Sequence, residues 1–366
     1  MKLELSPYII LAALLAGCAS RSTDRGAAPA PVAQQPERVS SAWPVKTRYQ
    51  IDLWLHGYAM VEDDTTIVPY FQRGYHDKMV ALRNKANVTT QLDLNRDRLR
   101  SRLATNRELI GGQFLALYFG SWEDMQGAID VFLRTEGNPR RVGDPQQQAM
   151  VAALAGTFRS AADRDWLRLY TSSLGDESSK FYRSYWSQQQ RERAGVLTAV
   201  DSLWEKTYLP KFQRYLSNTQ LARGDFFLSL PLDGEGRTIT GRGGQNEIAV
   251  TFPDSQSTAV QAIYVFAHEA VAPVASVAVN DNTTPTEKRE GVADRYSSAA
   301  AVRGGALLMK RVAPELLAGY ERYYLQSANV RVSDGDAEAT LARAFPLPAP
   351  ILDAIGRQLD VVLGGI

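Results

Sequence analysis

His268 and Glu269 stand together in the run YVFAHEAVAPVASVAV, an imidazole beside a carboxylate among alanines and valines. Two imidazoles four residues apart on one helical face can grip zinc, and a carboxylate directly after the first can act as general base toward a bound water. The position four after His268 is Ala272, whose methyl group offers a metal nothing. The chain has three histidines, and the other two, His56 (LWLHGYAM) and His76 (RGYHDKMV), lie far upstream in polar surroundings that suit surface or capping roles. Either could replace the missing imidazole only if the N-terminal region folded across the site. A buried imidazole without a partner costs about 1–3 kcal/mol, so Glu269 or a carboxylate from the next helix is expected to satisfy it.

Other chemistries have weaker signatures. There is no G-x-S-x-G elbow and no phosphate loop, and the glycines Gly241, Gly243 and Gly244 read as a hairpin turn. The carboxylate pairs Asp63/Asp64 and Glu287/Glu290 could serve a glycosidase, but spacing in sequence does not fix the separation such a mechanism needs. With 366 residues, 22% charged, and a net charge of +1, no broad field favours nucleic acid. The arginines of NRDRLRSRLATNRE are scattered round a helix, the pattern of a solvated surface.

The single cysteine, Cys18, ends an apolar stretch that follows Lys2 and is too short to span a bilayer. Leu15-Ala16-Gly17-Cys18 resembles the lipobox of bacterial lipoproteins at every position. The resemblance implies cleavage before Cys18, acylation of that cysteine, and a membrane anchor made of lipid. Ala19 after the cysteine resembles the sorting pattern for the inner leaflet of the outer membrane, facing the periplasm. With Cys18 acylated, the remaining chain has no thiol, so any metal must be held by nitrogen and oxygen.

Stepping along the chain, residues 1–17 read as a lipoprotein signal peptide and 18–44 as the acylated cysteine with a flexible linker rich in Ala, Pro, Ser and Gln. Residues 45–222 are a mostly helical region, beginning with YQIDLWLHGYAMV, which leans helical. Ser121 is placed to cap one helix and Gly137-Asn138-Pro139 to stop it. The aromatic pairs Phe181/Tyr185, Tyr182/Trp186 and Trp204/Tyr208 stand at helical spacing, the mark of core packing. Residues 223–366 read as strand, turn-rich excursion and strand, then the helix carrying His268, which Pro273 should kink or end. Further helices are expected from about 285 to 324 and from about 349 to 363, with no later apolar segment long enough to span a membrane. The expected fold class is α+β, predominantly helical, with a small β-hairpin or sheet packed on the helix that carries His268.

That order of elements, from IAVTFP through His268-Glu269 to REGVADRYS, resembles the gluzincin branch of zinc metallopeptidases over less than a third of the chain. The resemblance implies His268 as a first metal ligand, Glu269 as the general base and Glu290 as the third ligand. Asp294, four residues on and so on the same helical face, would orient a neighbour from behind. Ala272 stands where the second ligand should be. The chain is therefore expected to be a lipid-anchored envelope protein on a degenerate zincin-like fold, acting by binding or scaffolding, with a peptide or protein partner, no nucleic acid and no cofactor. One alternative is an active zinc metallopeptidase using His268, Glu269 and Glu290 with a further ligand. A second is a helical lipoprotein, unrelated to proteases, that holds a partner through its aromatic-rich segment 166–215.

Overall fold

The computed structural model describes residues 42–62, 66–240, 245–331 and 337–364. The lipobox, most of the linker, Asp63/Asp64 and the glycines at 241, 243 and 244 lie outside the described residues. A short strand β1 (Val45–Lys46) leads into α1 (Tyr49–Val61), α2 (Tyr75–Lys85), α3 (Gln91–Thr105), α4 (Trp122–Arg134) and α5 (Pro145–Thr157). Next come α6 (Ala161–Glu177), α7 (Arg183–Glu192), α8 (Ala194–Leu203) and α9 (Leu209–Asn218). Strands β2 (Arg223–Ser229), β3 (Arg237–Thr240) and β4 (Gln245–Thr251) follow. The chain then runs through α10 (Val260–Asp281), α11 (Pro285–Arg289), α12 (Val292–Val312), α13 (Leu317–Ser327), α14 (Ala337–Ala344) and α15 (Ala349–Val362). The fold is α+β and predominantly helical, with one small mixed sheet among the described residues.

Strand order is β1-β2-β4-β3; β1, β2 and β4 are parallel, and β3 pairs antiparallel with β4. The two strands expected from FFLSL and IAVTF are therefore neighbours in parallel, and the hairpin is made instead by the short β3. Their lack of polar alternation has a physical cause: both faces are covered. Phe226, Leu228, Ile248 and Val250 enter a core with α8, α9, α10, α12 and α15, while Phe227, Ala249 and Ile239 enter a second core with the helices before residue 183. The sheet thus divides two helical layers. Trp43 ties the start of the fold to this plan, donating from Nε1 to Leu221 O at 3.1 Å and accepting at its carbonyl from Trp204 Nε1 at 3.0 Å.

Ser121 caps α4 as expected, accepting from the Asp124 amide at 3.0 Å. α6 passes into α7 through a π turn at Ser178–Tyr182, and α8 into α9 through another at Trp204–Tyr208. Tyr182, Trp204 and Tyr208 are buried core residues, in keeping with their spacing, whereas Phe181, Tyr185 and Trp186 are half-buried. Contrary to the expectation of no later spanning segment, the helical stretch Gln256–Asp281 is long and apolar enough to cross a bilayer. Since 72% of its most apolar window is buried inside the protein, it is accounted for as a core helix.

Candidate ion-binding site around His268

α10 packs against β4, α12 and α15, and its small residues Ala262, Ala267, Ala270, Ala275 and Ala278 let those elements approach closely. In that setting His268 is 2% exposed and Glu269 5%. The imidazole Nδ1 lies 3.1 Å from Glu269 Oε1 and, because a carboxylate only accepts, Nδ1 carries the proton of that bond. The opposite ring nitrogen, Nε2, faces Glu235 Oε2 at 3.7 Å, beyond hydrogen-bonding reach, and has no hydrogen-bond partner among the described residues. Glu235 comes from the connection between β2 and β3, where its Oε1 accepts from Ser298 Oγ at 3.1 Å. The ring stacks on Tyr324 with centroids 5.3 Å apart, and the Tyr324 hydroxyl donates to Gly234 O at 3.1 Å. Glu269 Oε1 also accepts from the Gly236 amide at 3.1 Å. A Cβ at residue 236 would sit 2.3 Å from Ala249 O and 3.0 Å from Glu269 Cγ, so only glycine permits this approach.

Burial pulls the His268 pKa down, but the carboxylates of Glu235 and Glu269 outweigh it, and the net shift is upward. The arrangement can hold a positive charge between two carboxylates. Glu269 Oε1 accepts from both the Nδ1 proton and the Gly236 amide, and this anchored carboxylate orients the imidazole.

Pro273 neither ends nor breaks α10, which continues to Asp281. Proline lacks the amide that would bond the carbonyl four residues earlier, here that of Glu269. Thr238 Oγ1 on β3 supplies the missing donor, at 3.2 Å from Glu269 O. We expect Thr238→Val to cost about 1–2 kcal/mol by orphaning that carbonyl. In a Pro273→Ala background, whose restored amide can satisfy Glu269, the cost should largely vanish; equal losses in both backgrounds by chemical denaturation would refute this account of the uninterrupted helix.

Among the described residues, the one group of three metal-capable donors is Glu235, His268 and Glu269, whose ligand atoms lie within 4.8 Å of one another. Glu290, expected as third ligand, instead ends α11 on the surface and is not a member, and Asp294 is exposed in the first turn of α12. Ala272 is half-buried on α10 and contributes no donor. The ligand set of the gluzincin resemblance therefore does not fit this chain. Glu235 was missed because its only local sign is one acidic residue between the turn glycines Gly234 and Gly236; 33 residues separate it from His268 along the chain.

His56 also departs from expectation. It is fully buried rather than on the surface, with Nε2 at 3.0 Å from Glu177 Oε1 and Nδ1 at 3.1 Å from the Tyr75 hydroxyl. Both nitrogens are thus engaged, and His56 does not belong to the His268 group. His76 bonds its neighbour Asp77 at 3.0 Å. The His56 neighbourhood depends on the π turn, whose wider winding brings Glu177 and Tyr182 onto one face. Glu177 bonds the ring edge while Tyr182 stacks on its face, centroids 4.2 Å apart. Close by, a surface cleft of about 240 Å³ is walled by Tyr49, Trp122, Arg183 and Trp186. The chain matches no protein-family model, no curated protein and no solved structure, which leaves the chemistry of these side chains as the guide to what it does.

Proposed function

We propose that this chain is a lipid-anchored cell-envelope protein that binds or scaffolds rather than hydrolyses, on a zincin-like framework whose catalytic constellation is incomplete. The observation that carries the non-hydrolytic reading is closure of the His268 site: the side chains of His268, Glu269 and Glu235 are 2%, 6% and 13% exposed. A peptide backbone has no access to a site so enclosed, and the carboxylate that would serve as general base is already engaged by the imidazole and by the Gly236 amide. A binding role is supported by the cleft at Tyr49, Trp122, Arg183 and Trp186, whose aromatic walls and polar rim suit a peptide or protein segment. The lipid anchor is supported by the lipobox and by the absence of any other cysteine.

The competing reading, an active zinc peptidase, draws support from the gathering of three donors at His268. The full chain purified in detergent and supplied with zinc should leave a peptide library uncut. Cleavage that disappears in Glu269→Gln would overturn the non-hydrolytic reading. For the anchor, Cys18→Ala should abolish incorporation of labelled fatty acid and release the chain from the membrane fraction. Unchanged labelling in that variant would remove the envelope placement.

A further inference from the structure

The gap between His268 and Glu235 has the wrong length for a hydrogen bond. An ion pair closed by a proton brings nitrogen and oxygen to about 2.7–2.9 Å, whereas Nε2 and Oε2 stand 3.7 Å apart. Two donors that each bind one ion at about 2.0–2.2 Å, in tetrahedral or slightly wider geometry, lie about 3.3–3.7 Å from each other. Nε2 is also a buried ring nitrogen without a hydrogen-bond partner among the described residues, and it faces the carboxylate. Both supports behind these two atoms are in place. Nδ1 donates to Glu269 Oε1 at 3.1 Å, so that in the neutral ring the lone pair sits on Nε2, and an ion bound there takes the place of the Nε2 proton that the two carboxylates otherwise favour. Ser298 holds the other oxygen of Glu235 at 3.1 Å, turning Oε2 toward the ring.

We propose that His268 Nε2 and Glu235 Oε2 together bind a divalent transition-metal ion, with Glu269 as the positioning residue behind the imidazole. A first-row ion that accepts mixed nitrogen and oxygen donors, such as zinc or cobalt, matches this set; calcium and magnesium, which favour oxygen alone, do not. With two side-chain ligands, the remaining positions fall to solvent entering along Glu235. The ion ties the β2–β3 connection to α10, so its role is to hold the fold together at this point. This inference is independent of the envelope placement and of the binding role, and it replaces the gluzincin ligand set with one that uses neither Ala272 nor Glu290.

The test is equilibrium binding of zinc to the full chain in detergent, measured by competition with a chromophoric chelator, alongside the visible absorption of the cobalt form. One ion per chain is expected, raising the melting temperature. Glu235→Gln and His268→Gln should each weaken binding tenfold or more, and Glu269→Gln by about 10–100-fold through loss of ring orientation. Glu290→Gln and Asp294→Asn should leave binding unchanged. If His268→Gln fails to fold, Glu235→Gln, at the more exposed edge, still decides the matter, as does the presence of one imidazole nitrogen in the cobalt spectrum. No stoichiometric binding, an affinity indifferent to Glu235→Gln, or a loss confined to Glu290→Gln would overturn the proposal. None of these outcomes bears on fatty-acid labelling or peptide cleavage, so the two readings fail separately.

Discussion

Glu177→Ala should destabilise this protein by about 3–5 kcal/mol at neutral pH, because it leaves the buried His56 ring and Thr90 hydroxyl without their acceptor and removes the fully buried carboxylate of the two that pair with Arg83. The Glu177 carboxylate is completely buried and accepts from His56 Nε2 at 3.0 Å, from Arg83 Nη1 at 2.9 Å and from the Thr90 hydroxyl. Arg83 is 1% exposed and also pairs with Asp93. Burial alone would raise the Glu177 pKa; the His56 hydrogen bond, the Arg83 charge and Thr90 outweigh it and hold the group at about 2. A carboxylate depressed below its ordinary 4.5 contributes stability above that value and loses it as pH falls toward 2. The gap between wild type and Glu177→Ala should therefore narrow steadily from pH 5 downward in urea titrations. A gap below 1 kcal/mol at neutral pH would mean that the network contributes no net stability. Glu177→Gln combined with Arg83→Met should cost less than the sum of the two single changes, since removing both charges leaves neither one uncompensated.

Asp52 should act in the opposite direction. It is fully buried on α1, and burial pushes its pKa up to about 7 even though Ser229, Trp186 and the Leu230 amide all donate to it. A group whose folded pKa lies above its unfolded value of 3.8 contributes stability fully below that value, and the contribution is lost as pH rises through 7. The swing is on the order of 4 kcal/mol. Stability should thus peak on the acid side of neutrality, where Glu177 is ionised and Asp52 is not. Asp52→Asn removes the titrating proton and should flatten the loss between about pH 4 and 8. It also places an amide N–H₂ or carbonyl where Asp52 Oδ2 accepts from Trp186 Nε1 at 2.8 Å, so Asp52→Asn/Trp186→Phe is the cleaner background. A variant whose profile stays parallel to wild type across that range would show that another group titrates.

The two buried networks were only partly visible in the chain. Asp52 and His56 stand four apart in IDLWLHGY, one helical turn within a segment otherwise apolar enough to be buried, and that conflict is a local sign of a polar contact in a core. Nothing local names the partners. Glu177 lies 121 residues from His56 and Ser229 lies 177 from Asp52, and they meet only because α6 and β2 both pack on α1. The same limit applies to Pro273. Proline in a helical run is a fair signal of a break, and the break is averted by Thr238, a hydroxyl on a strand in another part of the chain.

What the sequence determined by itself is whatever depends on a few consecutive residues. The 3.6-residue periodicity, the Ser121 cap, the buried strands and the want of a second imidazole at Ala272 all belong here, because backbone preference and neighbour spacing act within a turn or two. The tertiary structure alone decided that the strands run parallel, that His56 is interior, and that Glu235 rather than Glu290 faces His268. Those outcomes turn on which distant surfaces bury each other. Burial energy grows with area covered and carries no record of how far apart along the chain the covered residues lie.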